Sequence, residues 1–523
     1  MEVTRIADPR WLDAVATWSE DFERMNVGTW VRVKDVNPSD LITSRFVFQI
    51  KFKESRGWYA FCRWTPRGFQ QQAGVHYDPD EIFAGTPQLS TLRFLLAKAL
   101  FTKRRTFHFD FKRAFTNTPL ERTIYVRMPK GYKKLNEAGD ELCIALSKSA
   151  EGLKQSGANW LAMLHAFLIE YGFVQSVTEP KLYVLKLPNN DSCDIMVYID
   201  DILGVCGDED FIAQLLYDFN NLFKVECLHL GEISHALGID VIIGDDFISL
   251  NQKSKIEELL IRENLTQCSG RKTPLPSNFN IVDAMQSGNF LSKHDKTRYQ
   301  SFVGCFLWIN RGTRPNISFA TWILACGMTA PTEELLAAAI HLTMHLKYTI
   351  DESLTYSFEK YSNLDLSLYD YNSQIPTGFS DANWSAPKSV SSGIIMFLNA
   401  ALLWRVSKQA STALSTVESE LVALSDVAQD LEYTRKIFID LFILFPALPA
   451  FCDSKGAIEN AKHPTLKNKL KHVDIKCFFI RGCLERFHVS LFKICGLVNP
   501  ADIGTKILGY VKYNLFSNFL MNQ

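Results

Sequence analysis

Hydrophobic positions recur at helical spacing in residues 9–26 and then at the two-residue spacing that indicates strands. A second helical pattern covers residues 89–101, and Ser90 is its expected N-cap. The strands that this first part predicts cover residues 29–33, 45–52, 59–64 and 106–111. The pattern favours a small β-rich lobe followed by a mixed α/β region.

Two segments place carboxylates where apolar strands end. In residues 106–111 three phenylalanines alternate with polar residues, so Asp110 lies on the polar face. Residues 194–205 form an apolar, β-branched run interrupted by Asp200 and Asp201, which predicts a β-hairpin with an acidic tip. Adjacent carboxylates raise each other's proton affinity, and a hard cation such as Mg²⁺ relieves the repulsion. A solvated turn and an exposed strand residue stay open as the alternatives.

The middle of the chain carries helical patterns and a polar connection, with no residues that suggest catalysis. Packing is the default interpretation of the aromatic residues in this part. The predicted elements are helices over 159–171, 252–264, 299–326 and 333–349, a strand over 236–243 and a polar surface connection over 273–297.

From about residue 373 the pattern starts again, with carboxylates at strand ends and helix starts. Asp381 and Asp453 each follow a short apolar strand. Ser415 and Glu418 form a capping box, which leaves Glu420 free for chemistry. Asp502 lies in the first turn of a helix that Asn499 caps. Four such carboxylates indicate a two-metal nuclease site, although solvated strand ends and favourable helix-dipole contacts explain each one separately.

Composition limits the classes of protein that fit. The 523 residues leave room for three to four domains, and 47% hydrophobic residues suffice for large cores. The 12 cysteines have no zinc-site spacing and indicate reduced, mostly buried residues of an intracellular protein. Neither a signal peptide nor a membrane span is expected. A net charge of −1 does not favour nucleic-acid binding, although the basic runs at 103–105 and 467–471 suit phosphates as well as solvent.

The chain resembles the reverse transcriptase of Ty1/copia-type retrotransposons in several ordered blocks. The blocks of the first part are Asp110-Phe111-Lys112-Arg113-Ala114-Phe115, Gly152-Leu153-Lys154-Gln155, Tyr198-Ile199-Asp200-Asp201, Leu237-Gly238-Ile239-Asp240 and Thr313-Arg314-Pro315-Asn316-Ile317-Ser318-Phe319-Ala320. The C-terminal part is similar to the copia-type RNase H through Ser380-Asp381-Ala382-Asn383-Trp384, Ser415-Thr416-Val417-Glu418-Ser419-Glu420, Cys452-Asp453-Ser454 and Ala501-Asp502-Ile503-Gly504-Thr505-Lys506. Residues 471–475 match a further block, in which we assign His472 no role.

The resemblance implies a multidomain protein of the α+β and α/β classes: a right-hand polymerase followed by an RNase H-like domain. Fingers and palm would occupy residues 1–265, thumb and connection 266–372, and the RNase H-like domain 373–523. The implied activities are RNA-directed DNA synthesis and cleavage of the RNA strand of an RNA–DNA hybrid.

Residue roles follow from the same resemblance. Asp110, Asp200 and Asp201 would hold two Mg²⁺ ions, with Mn²⁺ as an alternative ion. Phe115 would block a ribose 2′ hydroxyl, and Gln155 would lie near the incoming nucleotide. Arg63 would contact the triphosphate. A second pair of ions would be held by Asp381, Glu420, Asp453 and Asp502.

The implied partners are an RNA template, a DNA primer and product, an RNA–DNA hybrid and deoxynucleoside triphosphates. Association with integrase or a virus-like particle, a cytoplasmic location and entry into the nucleus are further expectations. No zinc knuckle, protease or integrase motif precedes these blocks, so we expect a processed product or a fragment of a longer polyprotein.

Two departures from the family pattern concern the nucleotide. Phe61 stands where the family usually has lysine, which removes a charged phosphate contact, and Ala150-Glu151 replaces Leu-Tyr. One alternative hypothesis is therefore a retrotransposon remnant that at most binds nucleic acid. Another is an unrelated multidomain α/β protein, which would require every ordered block to be a coincidence.

Overall fold

The computed structural model describes residues 9–53, 57–384, 388–463 and 471–523. In this part of the chain the strands are β1 (Gly28–Arg32), β2 (Leu41–Lys53), β3 (Gly57–Pro66), β4 (Arg105–Phe111), β5 (Pro119–Arg127), β6 (Leu142–Lys148), β7 (Val174–Gln175), β8 (Leu182–Lys186), β9 (Ser192–Tyr198), β10 (Asp201–Cys206), β11 (Cys227–His229), β12 (His235–Ala236), β13 (Ile239–Ile243), β14 (Phe247–Asn251), β15 (Leu354–Ser357), β16 (Thr377–Asn383), β17 (Val390–Phe397), β18 (Ala400–Lys408), β19 (Leu448–Cys452) and β20 (Val489–Lys493).

The helices of the same part surround these strands. They are α1 (Pro9–Arg24), α2 (Leu89–Thr102), α3 (Ser156–Tyr171), α4 (Glu209–Asn221), α5 (Lys253–Arg262), α6 (Ile281–Gln286), α7 (Lys293–Gly312), α8 (Ser318–Cys326), α9 (Glu333–Tyr348), α10 (Thr416–Asp440), α11 (Lys455–Lys462), α12 (Lys471–Glu485) and α13 (Tyr510–Met521).

The first sheet has the order β1-β6-β5-β2-β3, and α1 packs against β3. Its core combines aromatic side chains of the helix and the strands, including Phe22, Phe46 and Trp64. The long β2–β3 hairpin carries Arg63 opposite Val47 and extends beyond the rest of the sheet. This lobe therefore forms one wall of a cleft whose other wall is the second sheet.

The second sheet has the order β11-β4-β10-β9-β8-β7 and holds the predicted acidic hairpin. Helices α3 and α4 cover one face through a phenylalanine-rich core, and α2 covers the other. Strand β10 lies between β9 and β4, and Gly204 pairs with Phe107. The Phe107 ring occupies the space above Gly204 that a Cβ atom would need, so only glycine fits at that position.

The third unit combines a small sheet, β12-β13-β14-β15, with helices α5 to α9. Helices α5, α7, α8 and α9 pack together around buried Tyr299, Phe302 and Phe306. Strand β15 follows α9 and pairs with β14, so this sheet closes on a strand from much later in the chain.

The C-terminal unit is a mixed sheet of order β18-β17-β16-β19-β20. Strands β16, β19 and β20 are parallel, whereas β16, β17 and β18 form an antiparallel meander. Helix α10 crosses this sheet closely, because Cβ atoms at Gly378 and Gly393 would lie 2.6 and 2.9 Å from methyl groups of Val427. The carboxyl ends of β16 and β19 consequently point to the start of α10.

Arg93 connects three of these units from the buried face of α2. Its Nε donates to the Leu402 carbonyl of β18 at 2.8 Å. One Nη donates to the carbonyls of Arg311 and Gly312 in α7, at 2.7 and 2.9 Å. The guanidinium also lies 4.0 Å from the ring centroid of Trp404. Helix α2 also shares one apolar core with the small sheet of the third unit and with the C-terminal sheet.

The expected fold class is confirmed: the protein is α+β and α/β, with several sheet-containing units. Four element predictions were wrong in detail. Helix α2 begins at Leu89 after Gln88, so Ser90 lies inside the helix and is not its N-cap. Residues 236–243 form two paired strands, because Leu237 and Gly238 both have positive φ and make a tight turn. Residues 299–326 are divided at Pro315, and helix α6 interrupts the expected polar connection.

Eight of the twelve cysteines are buried, as the sequence indicated, and none of the twelve is in a disulfide. None of the helices in the described ranges combines the length and apolar content that crossing a bilayer requires.

Candidate functional site

Asp110, Asp200 and Asp201 meet at one end of the second sheet. Asp110 is the last polar residue of β4, and its direct partner across the ladder is Asp201 of β10. Asp200 occupies the two-residue turn with Ile199, whose φ of 54° is unusual for a β-branched residue. Two hydrogen bonds hold this turn: the Trp160 indole donates to the Ile199 carbonyl at 2.6 Å, and the Phe111 amide donates to the Asp200 carbonyl at 2.8 Å.

Each outer carboxylate of this cluster has a basic neighbour. Lys112 donates to Asp110, and the His108 ring lies 2.9 Å from Asp201 Oδ1. Burial raises the pKa of Asp200; a backbone hydrogen bond opposes that rise, while the charges of Asp201 and Asp110 add to it. The three carboxylates therefore repel one another at a partly buried point, which is the condition that a divalent cation relieves.

A cleft of about 1280 Å³ opens from this cluster toward the β2–β3 hairpin. Its lining includes Asp110, Asp200 and Phe115 on one side and Arg63 on the other. Arg63 Nε is 2.8 Å from Glu151 Oε2, so the predicted triphosphate contact is paired with a carboxylate in the same cleft. Burial raises the pKa of Glu151, and Arg63 opposes that rise.

Phe61 also lines the cleft, at the position where the family usually has lysine. The ammonium of Lys51 lies 3.9 Å from the Phe61 ring centroid, and the Arg63 guanidinium lies 5.9 Å from it. Burial lowers the pKa of Lys51, and the charges of Arg63 and Lys112 lower it further. The Phe61 ring therefore lies close to two cations, Lys51 and Arg63. A lysine at position 61 would place a third positive charge beside them.

Gln155 is not among the residues that line the cleft, and its contact with the incoming nucleotide stays a prediction. Its side chain is buried, and both ends of its amide are used within the protein. The Gln71 amide donates to Gln155 Oε1 at 3.0 Å, and Gln155 Nε2 donates to the His76 carbonyl at 3.2 Å. Gln155 therefore fixes the loop that follows β3, beneath the wall of the cleft.

The four C-terminal carboxylates meet at the carboxyl ends of β16 and β19. Asp381 is buried in β16, and Asp453 follows β19 directly. Glu420 lies in the first turns of α10, where its Oε1 accepts a hydrogen bond from the Ala382 amide at 3.3 Å. Asp502 is buried in the short 3₁₀ helix Pro500–Gly504, which Asn499 caps. The capping role of Ser415 is also as expected.

Crowding of these carboxyl groups changes their acidity. Burial raises the pKa of Asp381 to about 6; Lys506 opposes this, and the charge of Asp502 adds to it. Burial raises the pKa of Glu420 to about 9, with further increases from Asp381 and Asp453. The second oxygen of Glu420, Oε2, is buried and has no hydrogen-bond partner within the described residues. A carboxylate oxygen that has no hydrogen-bond partner and lies beside another acidic group is suited to bind a cation.

Glu420, Asp453 and Cys452 each offer a ligand atom, and these atoms lie within 4.8 Å of one another. Lys506 and Lys512 occupy the other side of the cluster. Lys506 Nζ is 2.5 Å from Asp502 Oδ1 and 3.4 Å from Asp381 Oδ2, and Lys512 Nζ is 2.6 Å from Asp502 Oδ2.

Of the two basic runs, the structure describes the side chains of residues 103–105 and leaves most of residues 467–471 undescribed. Each residue of 103–105 faces a carboxylate, at 3.7 Å for Lys103 and 2.8 Å for Arg104 and Arg105, which favours a solvated surface role over phosphate binding. Residues 464–470 and the side chains of 471–474, including His472, lie outside the described residues.

Several site residues were missed by reasoning from the sequence. Lys112, Glu151, Lys506 and Lys512 contact the predicted residues directly. Lys112 and Lys506 stand two and four residues from a predicted carboxylate, so proximity in sequence was a usable signal. The sequence marked Glu151 as a departure from the family pattern, but its pairing with Arg63 arises only from the fold. Lys512 reaches its site only through the fold, and no local pattern marks it.

Residues 27–277 match the family described as "Reverse transcriptase (RNA-dependent DNA polymerase)". The chain is 25% identical over 466 residues to the Retrovirus-related Pol polyprotein from transposon TNT 1-94 of Nicotiana tabacum, covering 87% of this chain and 33% of the relative. It is 27% identical over 529 residues to the corresponding polyprotein from transposon RE1 of Arabidopsis thaliana, covering 99% and 34%. The Transposon Ty1-H Gag-Pol polyprotein of Saccharomyces cerevisiae is 23% identical over 499 residues, covering 93% and 26%.

The chain thus spans about a third of the length of the plant relatives. A solved foamy viral protease-reverse transcriptase in complex with dsDNA is similar at a TM-score of 0.46 and 12% identity, over 93% of this chain and 70% of that one. The family match and the three Pol polyproteins confirm the resemblance to copia-type Pol polyproteins that the ordered sequence blocks carried.

Proposed function

Residues 27–277 belong to the reverse transcriptase family in its Ty1/copia branch, and from that premise we propose an RNA-directed DNA polymerase with an associated RNase H activity. The observation that carries the polymerase is the convergence of Asp110, Asp200 and Asp201 at the mouth of the large cleft. In this proposal residues 1–265 act as fingers and palm, 266–372 as thumb and connection, and 373–523 as the RNase H-like domain.

The donor set fits divalent ions, because three partly buried carboxylates need a counter-charge and Lys112 pairs with only one of them. Bound Mg²⁺, or Mn²⁺, would acidify the primer 3′ hydroxyl and neutralise charge on the triphosphate. Asp110 would separate from Lys112, and its carboxylate would then become a ligand of the ion. Asp200, held by the rigid turn, would keep its position throughout the reaction.

The remaining cleft residues orient the nucleotide. Arg63 would exchange Glu151 for the triphosphate, since a polyphosphate offers more negative charge than one carboxylate. Phe115 lies on the cleft wall at the palm side, and its ring would leave no room for a ribose 2′ hydroxyl. The substrates of the proposal are therefore deoxynucleoside triphosphates with an RNA template and a DNA primer.

The experiment is steady-state primer extension on an RNA template with Mg²⁺. Wild-type protein should extend the primer, and the Asp200→Asn/Asp201→Asn variant should lose at least a thousandfold in rate while remaining folded. Asp245→Asn, at an exposed position, is the matched control and should extend normally. Absence of extension by folded wild-type protein would instead favour an inactive remnant.

The RNase H activity is carried by the Asp381, Glu420, Asp453 and Asp502 cluster, whose unsatisfied Glu420 oxygen suits a cation. Its test is cleavage of the RNA strand in an RNA–DNA hybrid. Asp453→Asn should abolish cleavage and leave primer extension intact. Cleavage that persists in this variant would place the activity elsewhere or in a contaminant.

The cellular setting is also a proposal. The relatives are Pol polyproteins about three times as long as this chain. By resemblance to that family we propose a cytoplasmic location, virus-like particles, association with integrase and entry into the nucleus. Immunoprecipitation of the protein tests the proposed virus-like particle: RNA of the retrotransposon should be recovered together with the protein.

A further inference from the structure

Helix α1 contributes to the wall of the large cleft, although it lies before the residues that match the reverse transcriptase family. The match begins at residue 27, whereas α1 covers Pro9–Arg24. Asp21 of this helix and Met25, just after it, line the cleft together with Arg113 and Phe115. A segment outside the matched region therefore reaches the part of the cleft that is proposed to hold the nucleotide.

The turn that carries Phe115 begins with an uncommon backbone conformation. Arg113 has a φ of 54°, in the left-handed region, and directly precedes the 3₁₀ helix Ala114–Asn117. The Arg113 carbonyl accepts hydrogen bonds from the Thr116 amide at 3.0 Å, the Thr116 hydroxyl at 2.9 Å and the Asn117 side-chain amide at 3.1 Å. Such a conformation persists only where surrounding contacts hold it. The position of the Phe115 ring therefore depends on what fixes Arg113.

Helix α1 supplies contacts that fix this turn. The Arg113 guanidinium donates to Asp21 Oδ2, and in the part of the chain that the structure describes no other carboxylate pairs with Arg113. The other carboxylate oxygen of Asp21 lies 2.9 Å from an Nη atom of Arg24. The Thr116 hydroxyl lies 3.5 Å from Met25 Sδ. Asp21 therefore ties the start of the turn to the helix, and Met25 lies against the turn itself.

We propose that Asp21 is a positioning residue for sugar selection. Through Arg113 it fixes the 3₁₀ turn, and thereby the Phe115 ring that would exclude a ribose 2′ hydroxyl. The inference rests on the proposed polymerase function and on the role proposed there for Phe115, and it adds α1 to the nucleotide site. Without the pair the ring gains freedom to move, so ribonucleotides enter more readily, whereas deoxynucleotides do not need the ring to move.

The test measures kcat/KM for a deoxynucleoside triphosphate and for the corresponding ribonucleoside triphosphate in single-nucleotide primer extension by the full chain. The Asp21 and Arg113 side chains are 29% and 36% exposed. Asp21→Asn and Arg113→Gln should therefore each lower the deoxy-to-ribo ratio about two- to fivefold, the range of a partly exposed ion pair. The double variant should lower the ratio no further, because both changes remove the same contact.

The ratio separates positioning from a merely structural role, because partial unfolding reduces the rates with both nucleotides alike. Glu20→Gln, at an exposed position on the same helix, is the control and should keep the wild-type ratio. Phe115→Ala connects the ion pair to the ring: it should lower the ratio by itself, and Asp21→Asn added to it should have no further effect.

An unchanged ratio in Asp21→Asn or in Arg113→Gln, additive losses in the double variant, or a further loss in the Phe115→Ala background would each overturn the inference and leave the polymerase function intact. An unchanged ratio in Phe115→Ala would refute the proposed role of that ring and the inference with it. No extension by folded wild-type protein would refute the polymerase function itself, so the failures are distinguishable.

Discussion

At the scale of single residues, several charged groups in or beside the cleft are already paired with one another. Asp110 is paired with Lys112, Asp201 with His108, and Arg63 with Glu151 at 2.8 Å. Substrate and metal must therefore exchange partners with existing pairs, so binding depends on differences between contacts. Glu151 is the clearest case, because it stands where the family pattern has an uncharged tyrosine and it pairs directly with Arg63.

We predict that Glu151→Gln lowers the KM for deoxynucleoside triphosphates about two- to fivefold, the range of a partly exposed ion pair worth roughly 0.4–1 kcal/mol. The turnover number should change less, since the pair affects substrate binding more than the reacting atoms. Steady-state primer extension at varied nucleotide concentration measures both. Glu121→Gln, at an exposed position in β5, should leave KM unchanged, and a raised KM in Glu151→Gln would contradict the competing role.

At the scale of elements, the acidic hairpin depends on close packing behind it. Gly204 in β10 lies under the Phe107 ring, which belongs to the same phenylalanine row that directs Asp110 to the polar face. A side chain at Gly204 would push β10 away from β4 and separate Asp110 from Asp201. The site geometry is therefore set by an apolar contact on the opposite side of the strand.

Gly204→Ala should cost about 1–3 kcal/mol of the free energy of unfolding, the usual penalty of overpacking a core. Urea denaturation measures it, and primer extension should fall in parallel. Gly304→Ala is the matched control: Gly304 lies in α7 with open space around it, so alanine there should stabilise by about 0.5–1 kcal/mol. Equal stability of the two variants would show that the ring contact is unimportant.

Helix α9 provides a pH-dependent contact with α13. His345 is fully buried, between the Arg271 carbonyl at 3.0 Å and the Tyr513 hydroxyl at 2.9 Å. Burial lowers its pKa to about 3, and the charge of Arg314 lowers it further. The unfolded chain, with a histidine pKa of about 6.5, binds the proton that the folded chain excludes. The contribution to stability is therefore complete above pH 6.5 and is lost as the pH falls toward 3.

The slope from this one group should be about 1.4 kcal/mol per pH unit between pH 6 and 4. His345→Gln should lower the pH slope of the free energy of unfolding by that amount relative to wild type, as measured by denaturation at several pH values. His294→Gln, at an exposed position, should retain it. An unchanged slope in His345→Gln would mean that another group dominates in this range.

Reasoning from the sequence succeeded where local periodicity decides the structure. The alternation of residues 106–111 and the apolar run around Asp200 are properties of single strands, so the faces of Asp110 and the hairpin tip could be predicted. The Leu237-Gly238 turn was missed because its apolar neighbours continue a strand pattern through it. Ser90 was misassigned because side-chain caps are a preference that tertiary packing overrides. Pairs such as Arg63–Glu151 and Asp502–Lys512 depend on the packed fold and leave no local signal.

At the scale of the whole molecule, helix α2 of the second-sheet unit shares a core with the C-terminal unit. Arg93 is the fully buried link, and burial lowers its pKa to about 10, so it remains charged at neutral pH. Its three hydrogen bonds reach two other units at once. This arrangement couples helix α2 to the C-terminal sheet through a planar group that lysine cannot imitate.

Arg93→Lys should destabilise the protein by about 2–4 kcal/mol, because buried carbonyls of Leu402, Arg311 and Gly312 lose their donors. Differential scanning calorimetry should also show two transitions, because the C-terminal unit should unfold separately from the second-sheet unit. Arg45→Lys, at an exposed strand position, should unfold as wild type does. A single, unshifted transition in Arg93→Lys would show that the units are coupled by other contacts.

The measurement that tests the central claim most directly follows both activities in one reaction, on a primed RNA template labelled on both strands. Wild-type protein should extend the DNA primer and cut the RNA behind it. The Asp200→Asn/Asp201→Asn variant should lose extension and keep cleavage of a preformed hybrid, and Asp453→Asn should do the reverse. Loss of both activities in either folded variant, or of neither, would contradict the assignment of two separate carboxylate centres in one chain.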